Sequence, residues 1–276
     1  MTADLPAALR LVYHCDEPVP RDVPLEHVYA DLTFPPREPL PFVALNMVQT
    51  LDGAAAIGGR AWTIGTAVDH HLYRTLHGAV DAVLAGAGTL RAEDVVAGTH
   101  PHLRARREAA GLPPTPTAVV LTAAASFDET VLGKRFFTGR EYPSLLLTTE
   151  RARPADIDRV RALGVEVAVV AADDAGLVDV QAALRHLAAR GMRRVLAEGG
   201  PRLATALLRR GLVDELFLTL TVRLSGDPAA PRILAGEAAI ALDPISVYHY
   251  MDRAGALREI YLRLDASPAG RTPTGV

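Results

Sequence analysis

From residue 42 onward, short apolar runs alternate with segments whose apolar residues fall three and four apart. Phe42-Val43-Ala44-Leu45-Asn46-Met47-Val48 is rich in β-formers and predicts a buried strand. Val68, Leu72 and Leu76 mark the apolar face of a helix over 66–77. Further strands are expected over 79–85, 117–122, 144–148, 165–170, 194–197 and 213–222, with two more near 245–250 and 257–264. One helix is expected over 154–163, where Pro154 suits the first turn and Gly164 lies just past the end. Leu177, Gln181, Leu184, Leu187 and Ala188 mark another, stopping at Gly191, and Leu203 and Leu207 a third, ending at Gly211. Residues 92–116 form a long irregular stretch with a short helix around 104–110, and loops of that length are often functional.

Strands alternating with helices predict an α/β fold: a central mixed, mostly parallel sheet covered on both faces. The closing strands lack intervening helices, so an antiparallel C-terminal edge is expected.

The 276 residues allow one large domain or two small ones. Prolines are uneven: 8 of the 20 fall in residues 1–41. Residues 1–40 therefore read as a proline-rich arm laid over a domain spanning 41–266, and 267–276 as a disordered tail. A net charge of −3 offers no field for nucleic acid or an anionic membrane, leaving a small molecule as the expected partner. The single cysteine, Cys15, excludes a disulfide framework and a thiolate-based zinc cluster within one chain. No apolar run is long enough to span a membrane and the first residues do not read as a signal peptide, so a cytoplasmic location is the default.

Two glycine turns carry the strongest chemical signal. Gly86-Ala87-Gly88-Thr89 and Glu198-Gly199-Gly200-Pro201 each follow an expected strand and precede an expected helix. Glycine admits close backbone approach, and a helix N-terminus offers unpaired N–H groups, so the pair could hold a dinucleotide's phosphates. Arg91 stands where a full G-x-G-x-x-G fingerprint has its third glycine, and tight turns without a ligand remain the alternative. Asn46 interrupts an apolar strand, so its amide must find a partner, either across the sheet or on a substrate. Asp52-Gly53, at that strand's end, reads equally as a turn. Glu198 is either a general acid or substrate acceptor, or a helix N-cap. No H-E-x-x-H pattern occurs and no metal is expected; no G-x-S-x-G elbow or P-loop occurs either.

Taken in order, Asn46…Thr50-Leu51-Asp52-Gly53, Trp62, Asp81-Ala82-Val83-Leu84-Ala85-Gly86-Ala87-Gly88-Thr89, Glu198-Gly199-Gly200-Pro201-x-Leu203 and Gly211-Leu212-Val213-Asp214-Glu215-Leu216 form a specific series. Over about residues 40–264 the chain resembles the reductase domain of the bifunctional riboflavin-biosynthesis deaminase/reductase and its stand-alone pyrimidine-reductase relatives. The resemblance implies a dihydrofolate-reductase-like fold and hydride transfer from NADPH to a pyrimidine or pterin-type substrate. It also implies a homodimer. By position it puts cofactor contacts on Val48, Trp62, Gly86, Gly88, Thr89 and Glu93, and on the helix start at Gly199, Gly200, Pro201, Arg202 and Leu203. It puts the substrate-facing acid on Glu198, with Asn46 at the family's polar strand position; Asp52, Asp69 and His77 are the further candidate substrate contacts.

The chain departs from the family where phosphate is expected. His77 takes the place of an arginine that contacts substrate phosphate, and Glu93-Asp94-Val95-Val96-Ala97-Gly98-Thr99-His100 replaces the D-D-P-x-L-x-x-R loop. A fixed guanidinium grips phosphate better than a mostly neutral imidazole, which puts the phosphorylated ribosylaminopyrimidine in question. The deaminase half has no counterpart here. Asp69 resembles by location the acid that holds a pterin's amidine-like edge in dihydrofolate reductases; an exposed aspartate favoured by the helix dipole is the alternative. Dihydrofolate reductase activity and a catalytically silent NADP-binding paralogue are therefore the competing functions. For the cofactor's 2′-phosphate, only Thr122, Ser126 and Arg91 are near the expected place.

Overall fold

The computed structural model describes residues 5–35, 37–236 and 239–267. In chain order its elements are β1 (Ala8–His14), β2 (Arg21–Pro24), β3 (Phe42–Thr50), α1 (Ala67–His77), β4 (Ala82–Gly86), α2 (Ala87–Ala92), α3 (Pro101–Ala109), β5 (Thr117–Leu121), α4 (Glu129–Leu132), α5 (Arg135–Thr138), β6 (Ser144–Thr148), α6 (Pro154–Ala162), β7 (Glu166–Val169), α7 (Val180–Ala189), β8 (Arg194–Ala197), α8 (Pro201–Arg209), β9 (Glu215–Thr221), β10 (Asp243–Met251) and β11 (Leu257–Asp265). The strands make one 11-stranded sheet in the order β2-β1-β10-β11-β9-β3-β8-β4-β5-β6-β7. Every pairing from β9 to β7 is parallel, and every pairing from β2 to β9 antiparallel. This is the mixed, mostly parallel α/β sheet that the alternation of elements predicts.

Side-chain alternation along the strands builds two cores. On β3, Phe42 and Ala44 face one side with Val68, Leu72 and Leu76 of α1 and Ile157 of α6. Val43, Leu45 and Met47 face the other, with Leu184 and Leu187 of α7 and Leu203 and Leu207 of α8. A parallel strand covered on both faces must be apolar on both, which is why β4 to β6 read as apolar runs and β3 as one interrupted by Asn46.

Two expectations need correction. Residues 8–14 and 21–24 do not lie over the sheet as an arm; they extend it. Leu9, Leu11 and Val23 are buried, and Tyr29 meets Phe217 and Tyr248 edge-on at 5.1 and 5.7 Å. Pro24 ends β2, the outermost strand, where a missing N–H breaks no inner ladder. Leu177 belongs to no helix: α7 starts after Asp179, whose carboxylate accepts a hydrogen bond from Ala182 N at 2.7 Å, and Leu177 stays exposed. The expected tail, 267–276, lies outside the described residues apart from Ser267.

Candidate active site

β8 and β4 are adjacent and parallel, so the turns that follow them meet at one edge of the sheet. Gly86 N donates to Gly199 O at 3.1 Å, and Gly200 N to Thr89 Oγ1 at 2.8 Å. Gly199 takes φ +78°, and a Cβ there would fall 2.8 Å from Met47 Sδ, so both conformation and space call for glycine. α8 begins with Pro201 in its first turn and Gly200 as an N-cap without a capping side chain, which leaves its first N–H groups unclaimed by any side-chain cap. A Cβ at Gly88 would meet nothing within 4 Å, so that turn opens outward. Trp62 stands at the rim, its indole stacked on the His70 ring at 3.5 Å and its backbone N–H held by Glu93 Oε1 at 2.8 Å. Of the expected cofactor contacts, Arg202 is exposed and Val48 shares the Asn46 face of β3. Leu203 is different: its side chain is core, packed with Leu207.

A polar stripe crosses the underside of α1. Asp69, Tyr73 and His77 follow one another four residues apart, beside the apolar stripe Val68, Leu72 and Leu76. The Tyr73 hydroxyl donates to Glu198 Oε2 at 2.9 Å, while His77 Nε2 lies 2.5 Å from Glu198 Oε1. His77 Nδ1 is 2.9 Å from Gly98 O. The His77 side chain is 0% exposed and that of Glu198 8%. Burial and the adjacent Glu198 carboxylate push the Tyr73 phenol well above its usual range, so it remains a hydroxyl.

Asn46, Asp69 and Tyr73 line a narrow cavity with Phe217, Thr219 and Tyr261. Burial, and secondarily the charge of Glu259, raise the Asp69 carboxyl to about 7, against a hydrogen bond from Thr219 that lowers it. Glu259 is itself buried and anchors the start of α1, accepting from Thr66 N at 2.6 Å and from the Thr66 hydroxyl at 2.5 Å, with the Tyr261 hydroxyl also donating to it.

Glu198, Asn46 and Asp69 thus gather on one face of the sheet, and Asp69 is not the exposed helix-end residue of the alternative. His77 shares their face but is no phosphate ligand. Residues 93–100 fold back onto α1, with Thr99 Oγ1 donating to Arg74 O at 2.8 Å, and enclose the imidazole completely. Asp52 also separates from the group. Its carboxylate accepts from Ser225 N at 3.0 Å, Gly226 N at 2.8 Å and the Thr50 hydroxyl, contacts that hold its carboxyl down at about 2. It fastens the loop after β9. Tyr73 is the site residue that sequence reasoning missed; the polar four-residue stripe with Asp69 and His77 was its signal.

Residues 41–254 match the family described as RibD C-terminal domain. The chain is 29% identical over 202 residues to the 2,5-diamino-6-ribosylamino-4(3H)-pyrimidinone 5′-phosphate reductase of Aquifex aeolicus, covering 71% of this chain and 84% of that one. It is 30% identical over 197 residues to the enzyme of the same name from Methanothermobacter thermautotrophicus, covering 71% of this chain and 85% of that one. The crystal structure of a pyrimidine reductase-like protein from Corynebacterium diphtheriae superimposes with a TM-score of 0.69 at 22% identity, over 82% of this chain and 91% of that one, and so shares the fold. Fold and homology together define an oxidoreductase of the reductase class. The chain belongs to the RibD C-terminal domain family.

Proposed function

We propose that the protein reduces a ribosylaminopyrimidine or a closely related pyrimidine with NADPH. The observation that carries this reading is the meeting of the two glycine turns beside Glu198, whose carboxylate is bonded to a tyrosine lining the Asn46–Asp69 cavity. The residues fit a dinucleotide: an N-terminus of α8 without a side-chain cap for phosphate, an outward-open glycine at 88 and an exposed indole at Trp62. When bound, NADPH supplies hydride from its nicotinamide ring. The chain's own part is to orient the acceptor, exclude water and provide a proton. In this reading Asn46, on β3, and Asp69, in the first turn of α1, hold the pyrimidine's donor and acceptor edge.

Preference for NADPH over NADH rests in this reading on Arg91. Its guanidinium lies over the Phe127 ring at 5.5 Å, next to exposed Ser126, beyond the end of β5. A homodimer, on the family resemblance alone, and a cytoplasmic location, as the default, are part of the proposal. The test is stopped-flow oxidation of NADPH with a panel of phosphorylated and unphosphorylated ribosylaminopyrimidines and dihydropterins. Turnover with the pyrimidines is expected, with Glu198→Gln lowering kcat while leaving NADPH affinity nearly unchanged. Turnover only with dihydropterins would favour the dihydrofolate reductase reading, and binding of NADPH without any turnover the silent one.

A further inference from the structure

The hydrogen bonding around His77 determines where a proton must sit. A carbonyl oxygen only accepts, so the contact from His77 Nδ1 to Gly98 O requires hydrogen on Nδ1. With Nδ1 protonated, a neutral imidazole would aim the lone pair of Nε2 at Glu198 Oε1, 2.5 Å away. Two lone pairs cannot make that contact. One additional proton is therefore shared between them, as carboxylic acid with imidazole or carboxylate with imidazolium. The other carboxyl oxygen, Oε2, meets the Tyr73 hydroxyl at 2.9 Å, and Tyr73, unlike Glu198, reaches the cavity lined by Asn46 and Asp69. The order from the cavity inward is Tyr73, Glu198, His77, Gly98.

We propose that Tyr73, Glu198 and His77 form a relay that delivers the proton of the reduction. This rests on the reductase reading above, and gives His77, at a position where the family resemblance implies a phosphate-binding arginine, a different task. As the acceptor carbon gains a hydrogen with two electrons from NADPH, the π pair of the reduced bond moves onto the neighbouring heteroatom. That atom takes the proton of Tyr73 Oη as the hydroxyl turns from Glu198 to the acceptor, leaving a phenolate. The proton shared at Glu198 Oε1 reaches the phenolate when the protonated carboxyl turns about its Cγ–Cδ bond, so the dyad is left as carboxylate beside neutral imidazole. That arrangement again sets two lone pairs face to face, so the dyad recovers a proton from water after product leaves. Tyr73 is the catalytic residue of the three that reaches the cavity. His77, enclosed and without access to substrate, is a positioning residue that acts through Glu198.

Two measurements test this. In the resting protein without any ligand, histidine ¹⁵N NMR is expected to show His77 Nδ1 protonated and Nε2 bearing or sharing a proton, the resonance being assigned by its loss in His77→Gln. Glu198→Gln, close to isosteric, should return Nε2 to a plain acceptor. An unprotonated Nδ1, or no response to Glu198→Gln, overturns the dyad whatever the enzyme reduces. In single-turnover reduction, Tyr73→Phe and His77→Gln are each expected to slow the step by about 100-fold, the scale of general acid catalysis, with NADPH affinity unchanged. Because the groups act in series, the double variant should also fall about 100-fold, not the product of the two. Multiplying effects, or a His77→Gln rate within about threefold of wild type, overturn the relay. The NMR signature without reduction of any pyrimidine would instead overturn the reductase reading on which the relay depends.

Discussion

Replacing Asp69 by asparagine exposes an electrostatic cost built into the cavity lined by Asn46, Asp69 and Tyr73. In the folded protein the carboxyl is raised from 3.8 to about 7, chiefly by burial and then by Glu259. Between about pH 4 and pH 7 the native state keeps a proton that the unfolded chain has released, so stability falls as pH rises through that window. Above pH 7 both states are ionised and the penalty is constant. Raising the carboxyl from 3.8 to about 7 corresponds to about 4 kcal/mol, and partial access of water to the cavity reduces this to about 2–4 kcal/mol. The asparagine side chain cannot ionise, fits the same space and can keep a hydrogen bond with Thr219. Urea unfolding of both proteins at intervals from pH 5 to pH 9 measures the difference. Near pH 5 about a third of the advantage of Asp69→Asn should already be present, and it should grow up to about pH 7 and then level off. A difference that stays flat across the range would refute the burial argument. The same variant should lose most of its turnover if Asp69 grips the pyrimidine edge, so stability and activity move in opposite directions.

Three further outcomes follow from the geometry. Gly199→Ala forces an L-residue into φ +78° and its Cβ to 2.8 Å from Met47 Sδ; unfolding should show a loss of about 1–2 kcal/mol, and calorimetric titration weaker NADPH binding. Asp52→Ala frees Ser225 N and Gly226 N, so the melting temperature should fall while kcat stays within about twofold; a large fall in kcat would return Asp52 to the substrate side. Since the Asp52 carboxyl is held down at about 2 when folded, its contribution is present above about pH 4 and is lost as pH falls through about 2, which acid melts of wild type and variant compare. Arg91→Ala should lower affinity for NADPH far more than for NADH in fluorescence titrations, and an equal loss would remove Arg91 from the 2′-phosphate.

Much of this was legible in the chain. Strands of a parallel sheet are covered on both faces, so β3, β4, β5 and β6 announce themselves as apolar runs, and the two glycine turns follow β4 and β8 directly. Local chemistry therefore located both halves of the proposed cofactor site. The segment up to residue 41 was misread because its eight prolines suggest an arm, whereas Leu9, Leu11 and Val23 pair into an edge hairpin only in the presence of β10, more than 200 residues later. That partner is invisible to any local pattern. The same holds for His77. An imidazole at a family arginine position reads only as a lost phosphate ligand, and only folding brings Glu198 and Gly98 to its two nitrogens. Asp69 was ambiguous for a related reason: at a helix start the dipole favours an acid in solvent or in a cavity alike, and β9 and β11 decide between them.

The central claim is that the meeting glycine turns hold NADPH so that its nicotinamide faces the acceptor held by Asn46, Asp69 and Tyr73. The most direct measurement uses NADPH deuterated at the nicotinamide C4, incubated in single turnover with a ribosylaminopyrimidine, and mass spectrometry with NMR of the product. One deuterium is expected on a carbon of the reduced pyrimidine compound, with one solvent-derived proton on the adjoining heteroatom and strong slowing in Glu198→Gln. NADPH that binds but leaves every pyrimidine unlabelled would contradict that claim.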